Sequence, residues 1–242
     1  MNKKIDLHIH TTMSDGALTP KEVIDEAHKN GVSVISISDH DSIDAYNDEL
    51  FTYAESKKIK IINAVEISTR ANKAGVHVLG YNFDINDKQF KEKLLKNFGH
   101  IPNKGEFIET VMNEGCPAYV KKETVTPKET SEMIRAAHGK VVLAHPVAYI
   151  YEDNLTDTDI LNIIKDMQPD GLEANYLYVD RNNNKINEVE KWNRFANENG
   201  LFVTAGSDFH IKDGIRPEIG FVNTSFTLNP NVIDEIIANL TK

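Results

Sequence analysis

The order of apolar segments is the feature that most limits what this chain can fold into. Short strand-like runs alternate with helix-like segments from one end to the other, which predicts an α/β fold with a parallel sheet or barrel. Seven runs suit a barrel better than an open sheet, and the length of 242 residues is close to the roughly 250 residues of a typical α/β barrel. The strand candidates are residues 4–10, 33–38, 60–67, 77–81, 140–144, 171–175 and 201–205.

Two helix starts are marked by the same tetrapeptide. The sequence TPKE occurs at 19–22 and again at 126–129. It supplies a threonine N-cap, a proline at the first helical position and a glutamate at the third, so both segments are predicted capping boxes. Each helix is expected to end near a histidine, His28 in the first and His138 in the second. We interpret both histidines as structural, because a partly cationic ring is favourable at a helix C-terminus.

The connection between the fourth and fifth strand candidates is far longer than a barrel loop. Residues 84–139 greatly exceed the roughly 2 to 6 residues usual for such a loop, and apolar pairs such as Phe90 with Leu94 are typical of amphipathic helices. We expect residues 84–139 to form a small helical insertion subdomain over the active site. Residues 1–83 and 140–242 would then form the barrel.

The balance of charge limits the partners of the chain. Lys and Arg total 27 against 37 Asp and Glu, a formal net charge of −10, so no overall positive field would hold a nucleic-acid duplex. The single cysteine, Cys116, excludes an intramolecular disulfide and is compatible with a reducing cytoplasm. No apolar run reaches the roughly 18 residues of a membrane span. We expect a cytoplasmic protein that binds neither a nucleic-acid duplex nor a membrane; the sequence does not determine its oligomeric state.

Residue types that bind metals stand in or after most strand candidates. In the first strand, Asp6, His8 and His10 alternate with aliphatic residues and are expected to share one face. Catalytic groups of α/β barrels lie at the C-terminal ends of the strands, so residues from later strands should meet these histidines in one mouth. The later residues are His40, Glu66, His77, His145, Asp208 and His210. The sequence therefore predicts a metal site built from histidines and carboxylates.

Several nearby carboxylates are interpreted as supporting groups. Asp6 lies too close to the two histidines of its strand to be an obvious ligand, but it could accept the other ring N–H of a ligating histidine. Glu173 receives the same interpretation. Asp41 is interpreted as an N-cap of the helix that follows it. For Asp39, both a metal-ligand role and a structural role stay open.

Together these residues form an ordered set of motifs that resembles the PHP (polymerase and histidinol phosphatase) family. The set covers both ends of the chain: DLHIH at 6–10 with SDG at 14–16, SDHD at 38–41, Glu66, His77, AHP at 144–146 and GSDFH at 206–210. Within the family, the chain is most similar to the nucleoside 3′,5′-bisphosphate phosphatases. In that branch an Asp-Gly-x-Leu-Thr-Pro segment follows the first strand, as residues 15–20 do here.

The resemblance implies a distorted (β/α)7 barrel that binds up to three metal ions. It places His8, His10, Glu66 and Asp208 on the first metal, Glu66, His77 and His145 on the second, and Asp15, His40 and His210 on the third. Asp15 stands where other branches have histidine, and this oxygen ligand should make the third site harder and weaker. The mixture of imidazoles and carboxylates favours Mn, Fe or Zn over Ca or Mg, and the resemblance makes manganese the first expectation.

The implied reaction is hydrolysis of a phosphate ester, with a metal-bound hydroxide as the nucleophile and no separate catalytic side chain. The expected substrate is a small nucleotide, such as a nucleoside 3′,5′-bisphosphate or a short 5′-phosphorylated oligonucleotide. Lys104, Arg181 and Arg216 are candidates to bind its second phosphate. Three alternatives stay open: a histidinol-phosphate phosphatase of the same family, an amidohydrolase-type C–N hydrolase, and a metal-binding module without activity.

Overall fold

Strands and helices alternate along the chain in the computed structural model, which describes residues 4–71, 74–98, 125–222 and 228–242. The strands are β1 (Ile5–Ile9), β2 (Val34–Ile37), β3 (Lys60–Ile61), β4 (Ala64–Ala71), β5 (Ala74–Tyr81), β6 (Lys140–Leu143), β7 (Gly171–Asn175), β8 (Tyr178–Val179), β9 (Lys185–Ile186) and β10 (Phe202–Ala205). The helices are α1 (Pro20–Lys29), α2 (Asp48–Ser56), α3 (Lys88–Phe98), α4 (Pro127–Ala136), α5 (Pro146–Glu152), α6 (Asp157–Met167), α7 (Val189–Glu198) and α8 (Pro230–Thr241). The predicted α/β class is confirmed. Within these ranges, no helix combines the length and the apolar character needed to cross a membrane.

The strands form two main sheets. In the first, the order is β1-β2-β3 and the neighbours are parallel. In the second, the order is β10-β7-β6-β5-β4, and β5 is antiparallel to both of its neighbours. Strands β8 and β9 form a separate antiparallel hairpin.

The prediction of a parallel arrangement is wrong for the segment that carries Glu66 and His77. Strands β4 and β5 form an antiparallel hairpin in which Ser68 lies opposite His77. Only residues 72–73 separate the two strands, whereas parallel neighbours need a crossover of about a dozen residues or more. The expected third strand is also divided into β3 and β4.

The two main sheets meet at their edges through single bridges. Ile9 pairs with Phe209 beyond the end of β10, and His40 beyond the end of β2 pairs with Glu66. These bridges connect the two sheets, but the strands of the described ranges do not form one closed sheet. Both bridges involve candidate ligands or their immediate neighbours, so the edges of the sheets meet at the predicted site.

Three apolar clusters hold the helices against the strands. Leu7 of β1 packs with Leu240 of α8, Ile37 of β2 with residues of α1 and α2, and Val65 of β4 with Ile134 of α4 and Trp192 of α7. Burying each such side chain contributes about 1.5–3 kcal/mol. The third of these clusters includes Tyr149 and Tyr176, whose hydroxyl groups contact His77 and Asp208, so the apolar core directly borders the predicted metal site.

Local capping fixes the starts of several helices. Thr19 and Thr126 form the two predicted capping boxes, which are confirmed, and Thr156 forms a third one at α6. His28 lies in the last turn of α1. His138 follows α4 with a φ of 65°. Both histidines are exposed.

The prediction that Asp41 caps the helix after it is wrong. Helix α2 begins later, after Asn47, whose side chain accepts a hydrogen bond from Leu50 N at 2.9 Å. Asp41 has a φ of 53°, and its Oδ1 accepts a hydrogen bond from Ser68 N at 2.9 Å. Asp41 therefore ties the end of β2 to β4, a contact between segments that are remote in sequence.

The predicted insertion is described only at its two ends. Phe90 of α3 and Met133 of α4 belong to the same apolar cluster as β4 and β5. Lys104 and Cys116 lie outside the described residues. A subdomain over the active site stays a prediction.

Candidate metal centre

Strand ends bring histidines and carboxylates to one edge of the two sheets. His8 and His10 come from β1 and the residue after it, Glu66 from β4, His77 from β5, His40 and His145 from the ends of β2 and β6, and Asp208 and His210 from the segment after β10. Three groups of these residues, one of which includes Asp15 from the loop after β1, have ligand atoms that all lie within 4.8 Å of one another.

Glu66 is the carboxylate around which the imidazoles are arranged. It is 1 % exposed. Its Oε2 lies 3.1 Å from Nε2 of His8 and from Nε2 of His10. Its Oε1 lies 3.0 Å from Nδ1 of His77 and from Nε2 of His145. The two oxygens of one carboxylate therefore face two different pairs of imidazoles.

Asp208 completes the group around His8 and His10. Its Oδ1 lies 3.3 Å from His8 Nε2 and 3.2 Å from His10 Nε2, and these two nitrogens are 3.1 Å apart. This oxygen is buried, and no hydrogen bond within the described residues satisfies it. The ring nitrogens of His8 and His10 and the Asp208 oxygen thus meet at one point. A divalent cation placed there could bind all three atoms.

Asp15 is the centre of the adjoining group. Its carboxylate lies 3.5 Å from His210 Nε2, 3.5 Å from His10 Nδ1 and 3.8 Å from His40 Nε2. His40 also reaches the first group, because its Nδ1 lies 3.3 Å from Glu66 Oε2. The Asp15 side chain is 48 % exposed, so this group is more open to solvent than the group around Glu66.

The charges of the site favour ionised carboxylates. Burial alone would raise the pKa of Glu66, but the neighbouring imidazoles, His8 first, hold that pKa well below its usual value. Burial alone would lower the pKa of His10, but Asp208 and Glu66 beside it raise that pKa to about 10. The carboxylates thus need a positive charge beside them. A divalent ion would replace the proton on His10, which would be released on binding.

Glu173 contacts His8 as the sequence analysis expects. Both of its oxygens lie 3.1 Å from His8 Nδ1, and Oε2 accepts a hydrogen bond from His145 N at 3.0 Å. A proton held on Nδ1 leaves Nε2 of His8 available to bind a cation. Gly206 packs against this pair so closely that a Cβ there would overlap His8 Cβ and Glu173 Oε1.

Asp6 has partners other than a histidine ring in the described chain, contrary to its prediction. The register between β1 and β2 shifts between Asp6 and Ile9, and such a bulge interrupts the alternation of side chains. Asp6 accepts hydrogen bonds from Ser207 N, Ser207 Oγ and Gly220 N at 2.9, 2.6 and 2.8 Å. Burial raises its pKa to about 6. Asp6 thus anchors the segment that carries Asp208.

Asp39 and Tyr176 are candidates to which the sequence analysis assigned no role in the site. Asp39 is 1 % exposed and accepts hydrogen bonds from Thr11 N, Thr11 Oγ1 and Ser14 Oγ, each at 2.7 Å. The Tyr176 hydroxyl donates to Asp208 Oδ2 at 3.3 Å. Tyr176 directly follows β7, and Asp39 lies two residues after the end of β2, so the search near strand ends that found the histidines could have found both.

The predicted phosphate-binding cations lie in different places. Arg216 lines a cavity of about 470 Å³ together with Asp15, Asp208 and His210. Arg181 lies in the exposed turn between β8 and β9 and does not line that cavity. Lys104 lies outside the described ranges.

Comparisons with known proteins identify the family of the chain. The family model described as PHP domain matches residues 6–168. A 5′-3′ exoribonuclease of Haemophilus influenzae is 30 % identical, over 88 % of this chain and 92 % of that protein. A 3′,5′-nucleoside bisphosphate phosphatase of Chromobacterium violaceum is 25 % identical, over 85 % of this chain and 87 % of that protein.

Two solved structures have a similar fold. A Bifidobacterium adolescentis protein assigned as a metal-dependent phosphoesterase has a TM-score of 0.68 and 20 % identity, over 98 % of this chain and 96 % of that one. A Chromobacterium violaceum structure described as an amidohydrolase has a TM-score of 0.66 and 22 % identity with the same coverage. At these identities the likeness concerns the fold alone.

Proposed function

Because this chain belongs to the PHP domain family and is a metal-dependent phosphoesterase, we propose that its substrate is a small nucleotide. The candidates are a nucleoside 3′,5′-bisphosphate and a short 5′-phosphorylated oligonucleotide. The proposal is supported by the relatives from Chromobacterium violaceum and Haemophilus influenzae, since a nucleoside bisphosphate and an RNA both contain nucleosides bound to phosphate esters. The net charge of −10 disfavours a duplex substrate.

The geometry around Glu66 is the observation that carries the proposed metal-ligand assignment and, with it, the hydrolytic reaction. Its two oxygens face separate pairs of imidazoles, so one carboxylate could contact two metal ions. We assign His8, His10, Glu66 and Asp208 to the first ion, Glu66, His77 and His145 to the second, and Asp15, His40 and His210 to the third. His10 and His40 each lie close to more than one group, so the three sites would be adjacent.

The donor set fits Mn, Fe or Zn, and manganese is the first candidate. When bound, divalent ions supply a nucleophile from water at neutral pH and neutralise charge on phosphoryl oxygens. The side chains of the chain set up this chemistry. Glu173, which contacts Nδ1 of His8, would hold a proton on that nitrogen, and the Tyr176 hydroxyl, which donates to Asp208, would orient this carboxylate.

The proposed organisation extends to the whole chain. Residues 1–83 and 140–242 would form a distorted (β/α)7 barrel, and residues 84–139 an insertion beside the site. The bridges Ile9–Phe209 and His40–Glu66 support this arrangement, because they connect the edges that a barrel would join.

A screen of phosphate esters with added Mn, Fe or Zn tests the proposed substrate. It should contain a nucleoside 3′,5′-bisphosphate, a short 5′-phosphorylated RNA, histidinol phosphate, an aryl phosphate and an amide. We expect the two nucleotides to have the highest kcat/KM. A clear preference for histidinol phosphate would contradict the substrate, and cleavage of the amide alone would contradict the reaction.

Matched histidine variants test the ligand assignment. His77→Ala or His145→Ala should lower kcat by more than about a hundredfold. Replacing a residue that only supports a metal ligand already lowers metal affinity or activity by about 10- to 100-fold, and loss of a ligand should have a larger effect. The exposed helix-end variants His28→Ala and His138→Ala should have little effect. Similar losses in all four correctly folded variants would refute the assignment.

A further inference from the structure

A cavity extends from the metal centre toward the segment that follows β7. Its volume is about 470 Å³, and Asp15, Asp208 and His210 contribute to its lining. A neighbouring cavity of about 400 Å³ contains Glu66 and the imidazoles around it. The two cavities share Tyr176, Asp208 and His210. A phosphoryl group at the metal centre could therefore be attached to a larger group in the first cavity.

One wall of the first cavity is apolar. It contains residues 176–179, together with Ala17, Ile211 and Pro217. Ile211 is one of the large apolar side chains that the described chain exposes, at 45 %. The volume is within the roughly 300–1,000 Å³ of small-molecule pockets, which combine apolar walls with a few polar groups. Inorganic phosphate would gain no affinity from an apolar wall, whereas a nucleobase stacks on apolar and aromatic surfaces.

Arg216 adds a positive charge to this cavity. Among the described residues that line the two cavities, it is the only lysine or arginine. Its guanidinium contacts Asp213 Oδ2 through one nitrogen at 3.3 Å, and its backbone N–H donates to Asp213 Oδ1 at 2.9 Å. A guanidinium has five N–H donors, so this pairing leaves others for an anion while it holds the loop in place.

Glu152 places a constraint on where an anion could bind. It lines both cavities and accepts a hydrogen bond from the Tyr178 hydroxyl at 2.9 Å. Its charge disfavours a second phosphate near the junction of the cavities. The side that Arg216 and Pro217 contribute is the better place for one.

We propose that this cavity binds the part of the substrate that is not hydrolysed, with the nucleoside against residues 176–179 and Ile211 and a second phosphate on Arg216. This inference rests on the proposed function. The substrate would be a nucleotide with a second phosphate. Arg216 would be the residue that distinguishes such nucleotides from simple phosphate esters.

Arg216 variants assayed on two substrates provide the test. Arg216→Ala should lower kcat/KM for a nucleoside 3′,5′-bisphosphate by about ten- to a hundredfold, the usual effect of losing a charge-assisted hydrogen bond. Hydrolysis of an aryl phosphate should stay unchanged. Arg216→Lys should recover part of the loss, since it keeps the charge but not the bidentate geometry. Arg194→Ala on the exposed face of α7 is the matched control and should behave like the parent protein.

A 5′-phosphorylated dinucleotide distinguishes the two sources of the second phosphate. If Arg216 contacts a terminal phosphate, Arg216→Ala should affect the bisphosphate more than the dinucleotide. If it contacts a bridging phosphodiester, the dinucleotide should be affected at least as strongly. Either result supports the inference.

Binding to the metal-loaded protein tests the apolar wall without turnover. By calorimetry, a nucleoside 5′-monophosphate should bind more tightly than inorganic phosphate, and Ile211→Ala should reduce that difference severalfold. Because the Ile211 side chain is largely exposed, its truncation should leave the melting temperature and the metal content unchanged. Equal affinity for the two ligands in the parent protein would overturn this part of the inference.

The outcomes separate this inference from the proposed function. If the parent protein hydrolyses nucleotides and Arg216→Ala lowers activity equally on both substrates, or on neither, the cavity assignment is wrong and the proposed function stands. If the metal-loaded parent protein hydrolyses the aryl phosphate and no nucleotide, the proposed function itself is wrong. Arg216→Gln, which is uncharged but keeps the length of the side chain, replaces Arg216→Ala if that variant has a lowered melting temperature.

Discussion

Asp39 and Asp6 are buried carboxylates that belong to none of the three ligand groups of the described chain, yet each fixes a segment that carries a ligand. Asp39 binds Thr11 and Ser14, which precede Asp15. Asp6 binds Ser207, which precedes Asp208. A carboxylate can accept several hydrogen bonds at once. One buried side chain can therefore hold in place a loop that has no hydrogen bonds of a β-sheet.

Replacing Asp39 should selectively weaken the third proposed metal site. Asp15 is half exposed, so its position depends on the hydrogen bonds of its loop. In Asp39→Ala, the Thr11 and Ser14 groups lose their acceptor. We expect the metal content after loading and gel filtration to fall by about one ion per chain, since effects of supporting residues on affinity are about 10- to 100-fold.

A matched carboxylate variant serves as the control for Asp39. Asp166→Ala on the exposed face of α6 removes the same charge away from the site and should leave the metal content unchanged. Asp39→Asn, which keeps one acceptor oxygen, should have an intermediate effect. A lowered melting temperature of Asp39→Ala with full metal content would assign Asp39 to the fold alone.

At the scale of elements, the starts of helices depend on a few neighbouring residues. In α1, α4 and α6, the threonine N-cap and the acidic residue three positions later satisfy each other's backbone N–H groups. The boxes at Thr19 and Thr126 were predicted because both contain the TPKE sequence. The box at Thr156 was not, because its third helical residue is Asp159 and not the usual glutamate.

Removing one of these caps should lower stability without changing the site. Thr126→Ala is expected to reduce the free energy of unfolding by about 0.5–2 kcal/mol, measured as a shift of the urea midpoint at a constant slope. Thr126→Ser keeps the hydroxyl and should remain close to the parent protein. If the serine variant loses as much stability as the alanine variant, the methyl group and not the cap is responsible.

At the scale of the whole molecule, the histidines and carboxylates of the described chain meet beside the apolar cluster that includes Tyr149 and Tyr176. We expect the loaded protein to hold close to three ions, one for each proposed site. A chelator should abolish phosphatase activity while the far-UV circular dichroism stays largely unchanged. The melting temperature should fall, because ions that bind only the folded state stabilise it. No more than one ion per chain after manganese or zinc loading would contradict the three-site assignment.

The sequence by itself determined the features that depend on close neighbours or on a simple period. Alternation in the first strand placed His8 and His10 on one face, and the ends of the later strands identified Glu66, His145 and Asp208. The structure brings these residues within a few ångströms of one another. This works for His145 and Asp208 because the parallel strands of a barrel end at the same edge, so residues that follow separate strands come close together. The position of Glu66 does not follow from this rule, because Glu66 lies within β4, which is antiparallel to β5.

The tertiary structure decided the features that depend on contacts between remote segments. Asp6 has its partners in Ser207 and Gly220, more than 200 positions away, and Asp41 after β2 accepts a hydrogen bond from Ser68 of β4. In the same way, the cavity of about 470 Å³ beside the metal centre is lined by segments that are far apart in the sequence, among them the residues after β7 and Arg216. A hydrogen bond across more than 200 positions of sequence, such as that between Ser207 and Asp6, leaves no local pattern, because the partner of a buried carboxylate is chosen by how whole strands pack.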